Sequence, residues 1–330
     1  MGAGETVLVA CSGGADSLAL ACAARFVAGR QGVHCGLVTV DHGLQDGSAD
    51  RAARLVEWAT GEGFGPVVSV AVDTTGRDGG PEAAARDARY EALVEAALAH
   101  AATTVLLGHT RDDQAETVLL ALARGAGPRG LAGMPARRIS RGVTFRRPLL
   151  DVSRADTRAA CEALGLKPWD DPHNADPRYT RARLREALPV LVKILGQDVV
   201  ANLARTARLV AADTAVLDEQ AAAVLAGAVE PDGALCLDRI SGIADALRTR
   251  VLHSWARRLG ASGSALSHRH VGALDALVGQ WHGQGPVALP GGIEVVRRGG
   301  RLRPSTEVGA RVGDRDDGSG ERDDAFGTGS

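Results

Sequence analysis

The stretch that decides the fold reads TVLVACSGGADSLAL and covers residues 6–20. Its first five residues form a short apolar run, which is typical of a buried strand. A Ser-Gly-Gly turn at residues 12–14 ends this run, and helical composition follows from Asp16 to Ala28. Two glycines let backbone N–H groups approach a phosphate closely, and a helix N-terminus adds the positive end of a dipole. The stretch therefore predicts a strand, a phosphate-binding loop and a helix.

The loop also carries side chains that suit a nucleotide. Ser12 and Ser17 can donate hydroxyl groups, and Asp16 can hold Mg²⁺, which bridges phosphate oxygens. The loop is not a Walker A loop, because no lysine lies nearby. A tight strand-to-helix turn with a Ser or Asp cap is the alternative explanation of the same residues.

Strand and helix patterns alternate after this stretch. Further strands are predicted at residues 36–40, 67–72 and 103–107, and helices at residues 48–62, 81–99, 112–124 and 153–164. Such alternation predicts a mostly parallel sheet with helices on both faces. Ligands bind beyond the carboxyl ends of the strands in such sheets. We therefore expect the polar residues at 12–14, 41–43 and 108–109 to meet at one edge.

The length and composition predict more than one domain. The chain has 330 residues, of which 45% are hydrophobic and 24% charged, and a typical domain has roughly 100–200 residues. We expect an α/β domain over residues 1–190, a helical linker over 191–230 and a small α+β domain over 231–306. Residues 307–330 are acidic and rich in glycine, so we expect them to be disordered.

Charge is unevenly distributed along the chain. Residues 1–123 carry 8 basic and 16 acidic side chains, whereas residues 124–208 carry 17 basic and 8 acidic ones. A basic segment beside an acidic one indicates a polyanionic partner such as nucleic acid, and a solvated arginine-rich surface is the alternative. Within the basic segment, residues 124–149 are rich in Gly, Pro and Arg, which predicts a loop region.

The cysteines argue against several classes of protein. Cys11, Cys22, Cys35, Cys161 and Cys236 are scattered without a CxxC pair, so neither a zinc nor an iron–sulfur site is supported. Isolated cysteines without a signal peptide fit a reducing cytosol. No apolar stretch approaches the ~20 residues that a membrane helix needs. We expect a cytoplasmic protein with no membrane partner.

Paired carboxylates follow the fourth predicted strand. The segment HTRDDQAET covers residues 109–117, and a helix there places Asp113 and Glu116 on one face. Such a pair suits a cation, either Mg²⁺ or the ammonium group of a substrate. A solvated, acidic helix N-terminus is the alternative, because acidic residues are common there.

The loop sequence SGGADS resembles the SGGxDS signature of the PP-loop ATP pyrophosphatases. The resemblance implies a PP-loop α/β fold, cleavage of ATP between its α and β phosphates, and activation of the substrate as an adenylate. The residues that it assigns to the nucleotide are Ser12, Gly13, Gly14, Ala15, Asp16 and Ser17. His42 and His109 follow strands at the same edge and are assigned to this site as well. A metal trio with His173 and purely structural hydrogen bonding are the alternatives for both.

Longer stretches resemble the tRNA(Ile)-lysidine synthetase family. They are VDHGL at 40–44, EAAARDARY at 82–90, GHTRDDQAETVLLALARGAGPRGLAGM at 108–134, RPLL at 147–150, DDPHNAD at 170–176 and YTR at 179–181. The resemblance spans about residues 5–190. It is weaker beyond residue 190, where the chain resembles the first C-terminal domain of that family, and we expect the second C-terminal domain of the longer members to be absent.

That family, as the resemblance implies, converts the wobble cytidine of an isoleucine tRNA with a CAU anticodon to lysidine. ATP adenylates the C2 carbonyl oxygen of the base, and the side-chain amine of free lysine then attacks C2 and releases AMP. On this basis Asp113 and Glu116 hold lysine or help to deprotonate its amine, and Asp16 holds Mg²⁺. Arg89 and Arg181 balance phosphate or carboxylate charge.

The basic segment then has a role in holding the tRNA backbone. The arginines expected to do so are Arg124, Arg129, Arg137, Arg138, Arg146 and Arg147. A PP-loop tRNA thiolase, an amide-forming synthetase of the same fold and a non-catalytic tRNA-binding protein are the alternative functions. The sequence leaves the oligomeric state open, a homodimer included.

Overall fold

The computed structural model describes residues 4–41, 43, 47–73, 81–171, 176–263 and 265–305. The chain divides into two compact units, residues 1–214 and residues 215–330. Each unit has its own sheet and its own apolar core.

The first unit is built on a six-stranded sheet. Its strands are β1 (Thr6–Ala10), β2 (His34–Asp41), β3 (Val67–Ala71), β4 (Ala102–Leu107), β5 (Arg137–Ser140) and β6 (Val143–Arg146). They lie in the order β3-β2-β1-β4-β6-β5, and every neighbouring pair is parallel except β5 with β6. The predicted parallel α/β fold is confirmed.

Helices cover both faces of this sheet. They are α1 (Ala15–Gln31), α2 (Ser48–Gly61), α3 (Pro81–Ala99), α4 (Arg111–Ala123), α5 (Pro128–Leu131), α6 (Arg154–Ala163) and α7 (Thr180–Leu195). Successive side chains of a strand point to opposite faces, so β1 contributes to two cores. Val7 and Val9 pack with Leu18 of α1, whereas Leu8 packs with Leu93 of α3.

The β5–β6 hairpin corrects the expectation of a loop region over residues 124–149. Val143 and Phe145 are buried, and the residues between and after them are not. This alternation covers only four residues and is surrounded by arginines, so it gives a weak sequence signal. Tertiary packing stabilises the strand, because the Phe145 ring lies edge-on to Tyr90 at 5.2 Å between centroids.

The second unit has a four-stranded antiparallel sheet with two helices. The strands are β7 (Leu235–Cys236), β8 (Val287–Leu289), β9 (Ile293–Arg298) and β10 (Arg301–Pro304), in the order β7-β10-β9-β8. The helices are α9 (Asp245–Arg258) and α10 (His268–Gly279), and α8 (Val199–Ala228) spans the division between the units. Trp255 is buried in this core and donates a hydrogen bond to the Gly233 carbonyl (3.0 Å). The predicted α+β architecture is confirmed.

In the described part of the chain, no single helix has the length and apolar character needed to cross a bilayer, and one bent pair, α7 with α8, passes on length and composition alone.

Two glycines of the first unit give opposite predictions for substitution by alanine. A Cβ on Gly36 would lie 2.6 Å from both Leu8 Cδ2 and the Pro66 carbonyl oxygen, whereas nothing lies within 4 Å of a Cβ on Gly29. Gly36→Ala should therefore destabilise the protein by about 1–3 kcal/mol. Gly29→Ala, on the exposed face of α1, should stabilise it by roughly 0.5–1 kcal/mol. Urea unfolding measures both changes, and equal midpoints would contradict the packing described for β1 and β2.

Candidate active site

The loop between β1 and α1 is held by its own hydrogen bonds. Gly13 has a φ of +83°, which favours glycine. The Ser17 hydroxyl donates to the Gly14 carbonyl (2.9 Å) and accepts from the Ser12 backbone N–H (3.2 Å). Ser17 thus braces the loop from inside, while Ser12 is exposed. Hydrogen bonds between residues of the loop therefore stabilise its shape.

A cavity of about 1260 Å³ lies over this loop. Its lining includes all six residues Ser12 to Ser17, the end of β2 at Asp41, and Gly108 and His109 after β4. The prediction that polar residues after three strands meet at one edge is confirmed for these positions. His42 and His173 lie outside the described residues.

Gly108 allows β4 to end directly against the first turn of α1. A Cβ at this position would lie 3.1 Å from the backbone carbon and oxygen of Asp16 and from the Cα of Ser17. These are backbone atoms, which cannot move aside as a flexible side chain can. The spacing between the loop and His109 therefore depends on glycine at this position.

Asp113 and Glu116 are buried beside the cavity. Asp113 is 7% exposed and Glu116 is 0% exposed. Asp113 Oδ2 accepts hydrogen bonds from the backbone N–H (2.9 Å) and the hydroxyl (3.0 Å) of Thr110. The alternative of a solvated acidic helix N-terminus is wrong for this pair. A buried carboxylate needs a cationic or hydrogen-bonding partner.

Arginines from two later helices supply these partners. Arg154 Nη2 lies 2.9 Å from Asp113 Oδ1 and 3.2 Å from Glu116 Oε1. Arg185 Nη2 lies 3.0 Å from the same Asp113 oxygen, and its Nε lies 2.8 Å from the same Glu116 oxygen. Arg181 Nε is 3.6 Å from the other Glu116 oxygen. Predicted Asp113, Glu116 and Arg181 are therefore brought together.

Asp16 joins the same cluster from the loop side. Its Oδ2 lies 3.7 Å from Arg154 Nε, and its Oδ1 accepts a short hydrogen bond from the Thr157 hydroxyl. Burial raises the pKa of Asp16, and Thr157 and Arg154 act against this. Burial would also raise the pKa of Asp113, but Arg154, the Thr110 N–H and Arg185 outweigh it and hold that pKa below its ordinary value. Asp113 is therefore ionised at neutral pH.

A cluster of arginines surrounds the Tyr90 ring. The guanidinium carbons of Arg86, Arg89 and Arg138 lie 5.6, 5.8 and 5.3 Å from the Tyr90 ring centroid. Burial lowers the pKa of Arg89. In the described structure, Arg89 Nε and His109 Nδ1 are buried without a hydrogen-bond partner, and Arg181 Nε likewise. Buried donors of this kind suit an anion.

His109 is neutral in this environment. Burial is the largest cause that lowers its pKa from 6.5 to about 3, and Arg89 adds to the effect, whereas Asp113 opposes it. A neutral imidazole can donate one hydrogen bond and accept another. It can therefore contact a nucleotide without adding charge.

Five of the six arginines expected to contact RNA are exposed: Arg124, Arg129, Arg137, Arg138 and Arg146. Arg147 is a correction, because it is only 3% exposed and its guanidinium donates to the Pro135 carbonyl (2.7 Å) and the Tyr90 hydroxyl (2.8 Å). It braces the interior of the unit, where an RNA backbone cannot reach it.

The sequence reasoning missed Arg154, Arg185 and Thr157. Arg185 lies four residues after Arg181, so their shared helix face was a usable signal. Nothing in the spacing connected Arg154 or Thr157 with Asp16, because about 140 residues separate them and only the packing of α6 on α1 joins them.

Comparison with known proteins identifies both domains. Residues 3–191 match the family described as PP-loop domain, and residues 235–303 match the one described as TilS substrate binding domain. The fold is similar to that of a U34-tRNA thiolase from Methanococcus maripaludis, with a TM-score of 0.52 and 18% identity over 63% of this chain and 72% of that chain. The fold and the loop define a PP-loop, ATP-binding protein.

Curated relatives narrow the class further. A tRNA(Ile)-lysidine synthase of Salinispora tropica is 65% identical over 93% of this chain and 92% of its own length. One from Streptomyces coelicolor is 54% identical over 90% of this chain and 84% of its own length. The chain belongs to the tRNA(Ile)-lysidine synthase family. It is accordingly an enzyme, an ATP-binding ligase of tRNA modification.

The low pKa of His109 predicts a pH dependence of stability. Because the pKa is about 3 in the folded protein and about 6.5 when unfolded, the unfolded chain takes up a proton first as the pH falls. The free energy of unfolding should drop by up to about 1 kcal/mol per pH unit between pH 6 and pH 4 from this group alone. His109→Gln should remove that part of the slope. Urea unfolding across this range measures it, and parallel pH profiles for both proteins would contradict the assignment.

Proposed function

We propose that this enzyme ligates L-lysine to C2 of the wobble cytidine of tRNA(Ile) with a CAU anticodon. ATP first adenylates the C2 carbonyl oxygen, with release of pyrophosphate, and the amine of lysine then displaces AMP. The modified tRNA would read AUA and be charged with isoleucine. One observation supports this most: a buried carboxylate pair lies beside the phosphate-binding loop, and Arg154 contacts both the pair and Asp16.

The nucleotide would bind at residues Ser12 to Ser17, with His109 at the neighbouring strand end. Asp16 suits Mg²⁺, because it offers one carboxylate at the cavity and Mg²⁺ commonly takes one or two carboxylates with phosphate oxygens and water. Among the described residues, no cluster of three or more His, Cys, Asp or Glu side chains is arranged to hold a metal by itself. Bound Mg²⁺ would neutralise charge on the departing pyrophosphate.

Lysine would bind through its side-chain ammonium at Asp113 and Glu116. A carboxylate with a lowered pKa stays ionised and attracts a cation. One carboxylate of the pair can accept the proton that the ammonium must lose before its nitrogen attacks C2. Arg89 and Arg181 offer buried donors for the carboxylate of lysine or for a phosphate.

The tRNA would lie along the exposed arginines of the first unit. Arg137 and Arg146 occupy opposing positions on β5 and β6, and both are exposed. Like charges directly opposite each other destabilise a sheet, so an anionic partner is favoured there. The second unit, within the predicted residues 231–306, would contribute tRNA binding, as its family description suggests.

The thiolase alternative is disfavoured by the cysteines. Burial raises the pKa of four thiols, those of Cys11, Cys22, Cys35 and Cys161, and that of Cys35 reaches about 11. Reactive cysteines have a lowered pKa instead, because the thiolate is the nucleophile. An amide-forming synthetase would not require the exposed arginines. A non-catalytic tRNA-binding protein would not require the buried carboxylate pair.

Several further properties belong to this proposal. We propose residues 1–190 as the catalytic domain and 191–230 as the linker, and the predicted tail at 307–330 lies outside the described residues. A cytoplasmic location follows from the proposed substrates. The homodimer stays a prediction, which sedimentation would test.

Glu116→Gln tests the role of the carboxylate pair. The variant keeps the size of the side chain but removes its charge, so transfer of radiolabelled lysine to a CAU tRNA transcript should fall at least ~100-fold. Glu186→Gln, an exposed glutamate on α7, is the matched control and should keep full activity. Undiminished lysine transfer by folded Glu116→Gln would contradict the assignment. Sulfur transfer in place of lysine transfer would support the thiolase.

Substitutions of two adjacent arginines should have different effects, one on RNA binding and the other on stability. Arg146→Met should weaken tRNA binding and lower the slope of log affinity against log salt by about 1, because one phosphate contact is lost. Arg147→Met should lower the free energy of unfolding by roughly 1–3 kcal/mol, because the buried Tyr90 hydroxyl and the Pro135 carbonyl lose a charged donor. Filter binding and urea unfolding measure the two effects. Reversed effects would contradict the positions described for these side chains.

A further inference from the structure

Arg154 contacts carboxylates from two different parts of the cavity. Its guanidinium meets Asp16 at the loop and meets Asp113 and Glu116 on α4. Its backbone N–H donates to Asp112 Oδ2 (2.8 Å), which fixes the start of α6 on α4. Thr157, one turn later, donates to Asp16. The backbone is therefore anchored, and the side chain reaches from one site to the other.

One oxygen of each carboxylate is already occupied by guanidinium groups, whereas the other Glu116 oxygen, Oε2, is buried without a hydrogen-bond partner and lies 3.6 Å from Arg181 Nε. Asp113 Oδ1 and Glu116 Oε1 each accept from both Arg154 and Arg185, at 2.8–3.2 Å. Glu116 is fully buried. An ammonium can reach these oxygens only if a guanidinium moves away, since two cations cannot share the place of one.

The charge balance points the same way. The contacts join three carboxylates, Asp16, Asp113 and Glu116, to three guanidiniums, Arg154, Arg181 and Arg185. Adding lysine to this cluster adds a positive charge in a poorly solvated place, which is unfavourable. Removing one guanidinium toward a new anion restores the balance.

We propose that Arg154 couples the nucleotide site to the lysine site. Without nucleotide it covers the carboxylate pair. A polyphosphate on the loop at residues 12–17 offers a stronger, bidentate partner, and the guanidinium turns from Asp113 and Glu116 toward it. The ammonium of lysine then takes the vacated oxygens, so lysine binds tightly only after ATP. This inference depends on the proposed function, in which the carboxylate pair holds lysine.

Arg185 is the matched control. It contacts the same two oxygens from α7. In the described structure, however, the ion pair with Asp16 is made by Arg154. Loss of either guanidinium should relieve competition with lysine. Only loss of Arg154 should also break the link to the nucleotide, because only that link passes through the loop.

Titration calorimetry of lysine into the full-length protein, with and without Mg²⁺ and α,β-methylene-ATP, tests the coupling. We expect the analogue to raise the lysine affinity of the wild type at least ~10-fold, and lysine to raise the affinity for the analogue by the same factor, since coupling between sites is reciprocal. Arg154→Met should bind lysine without the analogue, and the ratio of its lysine affinities with and without the analogue should be below ~2. Arg185→Met should keep the wild-type ratio.

Each other outcome separates this inference from the proposed function. Wild-type lysine binding that is independent of the analogue would overturn the coupling and leave the lysine site standing. A full ratio in Arg154→Met, or loss of lysine binding by it under both conditions, would also overturn the coupling. If Arg154→Met does not fold, Arg154→Lys, which keeps the charge, tests the same coupling. It should show a smaller increase of lysine affinity on addition of the analogue than the wild type does. Absence of lysine binding by the wild type in every condition would overturn both the coupling and the proposed lysine site.

Discussion

The burial of Glu116 is the constraint on which the candidate active site depends. A fully buried carboxylate is unfavourable unless cations and hydrogen bonds compensate it. Here Arg154 and Arg185 do so, with Arg181 close by, and these arginines come from α6 and α7. Both helices must therefore pack against α4 at this depth, and the same packing brings Thr157 to Asp16 at the loop. The loop, the carboxylate pair and the two later helices are thus joined by one network of ion pairs.

This network of ion pairs explains part of the uneven charge of the sequence. The acidic first segment supplies Asp16, Asp113 and Glu116, and the basic segment supplies their three arginine partners. Part of the basic excess is thus used inside the fold. The arginines of β5 and β6 are exposed, and the proposed tRNA backbone would contact them.

The sequence was sufficient for the features that depend on local pattern. The loop, the parallel strands and the helix with Asp113 and Glu116 follow from apolar runs, glycines and helical spacing. It was insufficient where tertiary packing decides. Residues 143–146 form a strand because Phe145 packs on Tyr90, and Arg147 points inward because Tyr90 and Pro135 accept its hydrogen bonds. Arg154 gave no local signal, since its partners lie far away in the sequence.

We propose that lysine is attached to the wobble cytidine at this cavity. Mass spectrometry of the nucleosides from a CAU isoleucine tRNA, incubated with the protein, ATP, Mg²⁺ and lysine, tests it most directly. One cytidine per tRNA should become a lysine adduct, and only when ATP is present. An unchanged cytidine, or a sulfur-containing nucleoside formed when a sulfur donor replaces lysine, would contradict it.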